Sequence, residues 1–342
     1  MTTHFKPAPG LANPHLQSIM ASSALRRFRM SRPMRTLREI SEPHILTTAS
    51  GVRLAGLHTP ASVDRPRGLV MLFHGWEGSA ESTYLVETAF SLWRAGYSVF
   101  RLNFRDHGDT HHLNPGIFHS CRIDEVVEAC QEIQQLSPVR PLLLAGYSLG
   151  GNFALRVALR APDAGIDLSH VVAVSPLISP ANGLRAIEQA PWFYNHYFMR
   201  KWRRSLRRKQ SLFPHHGIDD DLLSGDMYEL TDRLVSRYTD YEGAPPYFEG
   251  YSIAGTRLAR LQVPATLLTA EDDPVIPVED FDHLSLPSHT DIMRYPHGGH
   301  CGFIHSWRLE SWAVKFLVQR FNNVIGDSAI VVPDHVRTHT ES

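Results

Sequence analysis

The chain has 342 residues, 43% hydrophobic and 20% charged, the balance of a folded protein with a substantial core, and its formal net charge of -1 argues against a nucleic-acid binder working by bulk electrostatics. No apolar stretch reaches the roughly 20 residues that span a bilayer, and the opening MTTHFKPAPGLANPHLQSIM lacks the basic region and unbroken apolar run of a signal peptide. Cys121, Cys130 and Cys301 have neither disulfide-framework nor metal-finger spacing, so a cytoplasmic protein is expected.

Residues 1–40, rich in Pro and Arg, read as an irregular arm wrapped around the rest of the chain. HILTTASGVRLAGLHTP then reads as two strands joined at Ser50 and Gly51. Strands and helices alternate after it: GLVMLFHG, a helix through Phe90 and Trp93, YSVFRLNF, a helix from about Ile123 to Ile133, PLLLAGYS, a helix after Ser148, and HVVAVSPL. Continuous apolar strands separated by amphipathic helices predict an α/β fold, a mainly parallel sheet covered on both faces, with the hairpin as an antiparallel edge. The rhythm breaks from about 178 to 262, where an aromatic- and Arg-rich stretch reads as a cap inserted over the sheet's C-terminal edge. It resumes with VPATLLTA, DIMRYP and a closing helix over HSWRLESWAVKFLVQRF. These readings give an arm over 1–40, an α/β domain over 41–322 with the cap inserted at about 178–262, and a polar tail over 323–342.

Gly146-Tyr147-Ser148-Leu149-Gly150 sits between an apolar strand and a periodic helix, the context of the G-x-S-x-G nucleophile elbow. A bare serine there could simply cap the helix. As a nucleophile it needs a base and an orienting acid on loops after later strands. The acid falls in EDDP, where adjacent side chains diverge; Asp273 is favoured and Asp272 reads as a loop-capping residue. The base falls in His297-Gly-Gly-His300, with His300 favoured over His297. Two backbone N–H groups should meet the developing oxyanion: that of Leu149, after the nucleophile, and that of Trp76 in HGWEG, a segment that without the elbow would read as a glycine turn.

With these marks in place the chain resembles the α/β-hydrolases, and within them the YheT-like branch with its ABHD-type and EMB8-like relatives. NPHLQSI, HGWEGSAESTY, NFRDHGD, GYSLGGN, AEDDPVIP and GGHCGF carry the resemblance, over about residues 10–320. It implies an esterase acting on acyl esters, cytoplasmic or membrane-associated, with Ser148, Asp273 and His300 matching the family triad. NFRDHGD departs from the pattern at Asp106, where relatives often carry glycine.

The combined reading is a serine esterase working through an acyl-enzyme on short- to medium-chain esters or acylglycerols, needing no metal and no organic cofactor. An acyltransferase, amidase or phospholipase would use the same machinery, and a non-catalytic binding protein would keep only the fold. RDHGDTHH (105–112) has metal-ligand residue types but reads as a hydrogen-bonded loop. WFYNHYFMRKWRRSLRRKQSLF (192–213) holds seven basic residues between Arg200 and Lys209. Its aromatics read as an acyl-pocket lining. Its charges read either as a face for anionic membrane headgroups or, preferred here, as a solvated face pairing with DDDLLSGDMYE.

Overall fold

The structure is a computed structural model that describes residues 4–326. Three short helices open it, α1 (Pro14–Ala21), α2 (Ala24–Arg29) and α3 (Ser31–Ile40). Residues 14–40 are therefore largely helical, where an irregular arm was expected. The local reason was present in the sequence. The Asn13 side chain accepts from the Leu16 amide with Pro14 at the first turn, and Ser23 caps α2 in the same way.

The sheet has eight strands in the order β1-β2-β4-β3-β5-β6-β7-β8. β1 (Glu42–Thr47) and β2 (Arg53–Thr59) form the expected hairpin. Next along the chain come β3 (Leu69–Phe73), β4 (Ser98–Leu102), β5 (Leu142–Tyr147), β6 (Leu168–Val174), β7 (Ala265–Ala270) and β8 (Thr290–Tyr295). The β1–β2 and β2–β4 pairs are antiparallel and every other neighbour pair is parallel. The fold is thus α/β, mainly parallel, with the antiparallel edge the hairpin predicted.

Alternation along the strands divides the core between two faces. Leu69, Met71 and Phe73 pack toward α5 (Ile123–Leu136) and α6 (Leu149–Arg160), while Val70 and Leu72 pack toward α3, α4 (Thr83–Arg94) and α11 (Trp312–Ile325). α11 starts seven residues later than the sequence reading placed it. Residues 304–311 form a loop instead, closed by an Ile304–Ser311 bridge and turned by Leu309 at φ +60°.

Between β6 and β7 the chain runs through α7 (Pro180–Gln189), α8 (Phe193–Leu212), α9 (Met227–Tyr238) and α10 (Ala244–Tyr251). α8, 20 residues and so about 30 Å long, is tied to the loop after β4 by a buried ion pair. Lys209 Nζ donates to Asp106 Oδ1 at 2.7 Å and to the carbonyls of Asn114 and His111 at 2.6 and 3.2 Å. Other α8 cations are also engaged within the protein: Arg207 with Asp220, Arg208 with Asp109, Arg203 with the Leu223 and Gly225 carbonyls, and Lys201 with the Glu77 carbonyl. Part of the pairing with the acidic stretch is therefore real, and Asp106 is the anchor of the longest helix. No helix among the described residues is long and apolar enough to cross a membrane.

Candidate active site

Ser148 stands at the turn from β5 into α6 with φ 54° and ψ -120°, a strained conformation for a residue with a Cβ. The flanking glycines make the turn sterically achievable: a Cβ on Gly146 would lie 2.1 Å from the Gly150 carbonyl oxygen, and one on Gly150 would lie 2.4 Å from that of His74. Here G-x-S-x-G is a packing requirement as well as a signature.

His300 reaches the serine from the loop after β8. Its Nε2 is 3.0 Å from Ser148 Oγ, and its Nδ1 is 3.0 and 3.1 Å from the two oxygens of Asp273. Facing a carboxylate, Nδ1 carries the proton, which leaves Nε2 as the acceptor toward the serine. Asp273 is oriented by the Val275 and Ile276 amides, both donating to its Oδ1. Burial alone would lower the His300 pKa, but the attraction of Asp273, with a smaller contribution from Cys301, outweighs it and holds the imidazole well above its ordinary 6.5. The structure thus brings Ser148, His300 and Asp273 together. Asp272 and His297 contact each other instead, and Asp272 Oδ1 accepts from the Gly299 amide, bracing the histidine loop.

The two amides expected to meet an oxyanion are close to the serine. A Cβ on Gly75 would lie 3.2 Å from Ser148 Cβ, and Trp76 and Leu149 line the same cavity as Ser148. Among the described residues neither amide has an acceptor within the protein. The Gly75 turn is held by two groups that sequence reading passed over. Its N–H donates to Tyr84 Oη at 2.8 Å, and fully buried His74 accepts from the Phe104 amide through Nε2 while Nδ1 faces the Gly75 carbonyl. Burial, reinforced by nearby His107, pushes the His74 pKa well down, so it is a neutral strut between the loops after β3 and β4.

Above Ser148 lies a cavity of about 990 Å³, counting the part open to solvent, lined mainly by apolar side chains including Trp76, Leu184, Ile187, Phe198, Trp202 and Phe248. The Trp76 ring stacks on Phe198 at 5.4 Å and meets Trp202 edge-on at 5.2 Å. Aromatics of 192–213 thus contribute to the lining.

α1 takes a part that the sequence reading missed. The Ser18 hydroxyl accepts from the His300 amide at 2.8 Å, and buried Gln17 accepts from the Ile304 amide while donating to the Ile304 and Leu11 carbonyls. The NPHLQSI motif was visible, but pairing across some 280 residues leaves no local signal.

In RDHGDTHH the side chains are engaged within the protein: Asp106 with Lys209, His107 with the Arg105 carbonyl, and His111 with Ser205. The cluster with ligand-like spacing among the described residues is Glu42, His44 and His58, on the edge hairpin and remote from β5 in the strand order, with separations of 3.8 and 3.9 Å from the Glu42 carboxylate.

A serine at a strand-to-helix elbow, with acid and histidine on loops after later parallel strands, is the architecture of the α/β-hydrolases. The chain belongs to the α/β-hydrolase family described as "Serine aminopeptidase, S33", which matches residues 64–304. It is 26% identical to "Putative esterase YheT" of Escherichia coli (strain K12), over 92% of this chain and 94% of that protein. It is 19% identical to human "Phospholipase ABHD3", over 75% of this chain and 63% of that protein, and 24% identical to human "Monoacylglycerol lipase ABHD2", over 56% and 50%. The relatives are those of the YheT-like branch. Among solved structures, the Pyrococcus furiosus esterase Pf2001 aligns at TM-score 0.55 with 16% identity over 85% of this chain and 94% of that one. A 2,6-dihydroxy-pseudo-oxynicotine hydrolase aligns at 0.58 with 14% identity, over 88% and 73%. At such identities the likeness is one of fold.

Proposed function

We propose that the protein is a serine hydrolase of carboxylic esters, acting on short- to medium-chain acyl esters or acylglycerols through an acyl-enzyme. The observation that carries this reading is His300 bridging Ser148 and Asp273 at 3.0 Å on each side, at the floor of an apolar cavity. Ser148 attacks the ester carbonyl while His300 takes its proton and returns it to the leaving alkoxide; water then repeats the sequence on the acyl-enzyme. Asp273 fixes the tautomer and offsets the imidazolium charge. The Trp76 and Leu149 amides bind the oxyanion, each donor contributing about 3 kcal/mol to transition-state stabilisation. The apolar lining favours a hydrocarbon acyl chain over a charged one, and free thiols at Cys121, Cys130 and Cys301 fit the reducing cytoplasm.

The test combines fluorophosphonate labelling with a panel of p-nitrophenyl esters of graded chain length. The native protein should label at Ser148 and turn over esters up to a chain-length limit, and Ser148→Ala should lose both, with kcat reduced on the order of 10⁶-fold. A folded native protein that neither labels nor hydrolyses any ester would overturn the reading.

A further inference from the structure

We propose that α2, with the start of α3 and the neighbouring loop tip at Trp307, is a docking face for an anionic lipid surface. α2 is built inside out. In ALRRFR the one buried side chain is Arg26, while Leu25 and Phe28 are 50% and 76% exposed. Arg26 is buried because it pairs with Glu87 of α4 and donates to the Ala21 carbonyl. Leu37 of α3 enters the core on the same side. The helix is thus fixed by a cation directed inward, which leaves its large apolar side chains outside. Ordinary folding gains nothing from that arrangement.

The cations complete the face. Residues 1–38 contain seven Lys or Arg and no Asp or Glu. Arg27, Phe28, Met34, Arg35 and Arg38 line one shallow groove. Arg29 donates to the Trp307 backbone carbonyl at 2.8 Å, which ties the loop carrying Trp307, 62% exposed, to α2. Separate apolar anchors interleaved with arginines suit a diffuse anionic surface, whose acyl boundary receives Phe and Trp while the guanidinium groups stay among the headgroups. Arg38 of this groove also pairs with Glu81, and Arg27 and Arg35 are exposed cations there; on α8, Arg203, Arg207, Arg208 and Lys209 are engaged within the protein. The proposal does not depend on catalysis.

The experiment is co-sedimentation of the full chain with phosphatidylcholine vesicles, with and without phosphatidylglycerol. Binding should require the anionic lipid and disappear in high salt. Arg27→Glu with Arg35→Glu should weaken it tenfold or more, and Phe28→Ser with Trp307→Ser should weaken it at constant charge. The melting temperature and fluorophosphonate labelling in solution serve as folding controls and should not move. Arg200→Glu with Arg204→Glu on α8 should leave binding intact. No binding, equal binding to neutral vesicles, loss through the α8 variant instead, or a Phe28-dependent self-association in place of lipid binding would each overturn the proposal.

Discussion

The Ser18 hydroxyl accepts a 2.8 Å hydrogen bond from the backbone N–H of His300, so a helix near the start of the chain holds the loop that carries the candidate base. Gln17 pins the same loop at Ile304 with two further bonds. Ser18→Ala should therefore lower kcat for a p-nitrophenyl ester by roughly tenfold, the equivalent of one hydrogen bond of about 1 kcal/mol or slightly more, with KM little changed. Gln17→Ala leaves the Ile304 amide and carbonyl buried and unpaired and should cost about 2–3 kcal/mol of stability as well. Urea unfolding beside steady-state kinetics checks both; an unchanged kcat in Ser18→Ala would remove α1 from the mechanism.

The raised pKa of His300 fixes the sign of the pH dependence. A base must be neutral, so kcat/KM should climb with pH through an acid limb whose midpoint lies above 6.5. Asp273→Asn removes the attraction that outweighs burial. The limb should then move to lower pH while kcat falls on the order of 10⁴-fold. Stability obeys the same linkage: the folded state binds the extra proton, so this contribution is complete below 6.5 and is lost as pH rises through the folded-state value. A limb that stays fixed on substitution would show that another group titrates.

Gly150→Ala tests the elbow without touching the chemistry. The added methyl meets the backbone oxygens of His74 and Phe73 at 2.4 and 2.6 Å, and neither can rotate away. The variant should lose about 1–3 kcal/mol by thermal or urea unfolding. Its labelling rate at Ser148 should fall further than the stability loss accounts for, because the strain falls on the serine itself. Normal labelling in a destabilised variant would separate the turn from reactivity.

The Lys209–Asp106 pair gives a double-mutant cycle. Both side chains are buried, at 1% and 7% exposure, so removing either charge strands the other. Lys209→Met or Asp106→Asn alone should cost about 3–5 kcal/mol in urea unfolding, and the double variant clearly less than their sum. Additive losses would mean that the pair is not coupled.

The sheet and the serine, acid and histidine positions were legible because each has a local signature. β3, β4 and β5 are buried along their whole lengths; β3 and β5 read as unbroken apolar runs, β4 is interrupted by Arg101, and the elbow glycines are dictated by close backbone contacts. Divergence of neighbouring side chains lets only one of Asp272 and Asp273 face the histidine, and the position just before Pro274, where the loop turns back over the sheet edge, favoured Asp273. The helices in residues 14–40 were missed although Asn13-Pro14 and Ser23 are ordinary start signals, because composition was weighed over capping. The braces at Ser18, Gln17, Tyr84 and His74 could not be read in the same way: their backbone partners lie from nine residues away for Tyr84 to 287 for Gln17, and a lone polar residue does not announce its partner. Asp106 marked a departure from the family pattern, and only its buried partner on α8 explains it.

α8 is fastened at both ends, by Lys209 to the loop after β4 and by Tyr194, whose hydroxyl is 3.3 Å from His15 Nδ1 on α1. A beam clamped at each end bows but does not swing. Phe198, Trp202 and Leu206 at mid-span line the cavity above Ser148, so on the proposed esterase reading the girth of an acyl chain would count as much as its length.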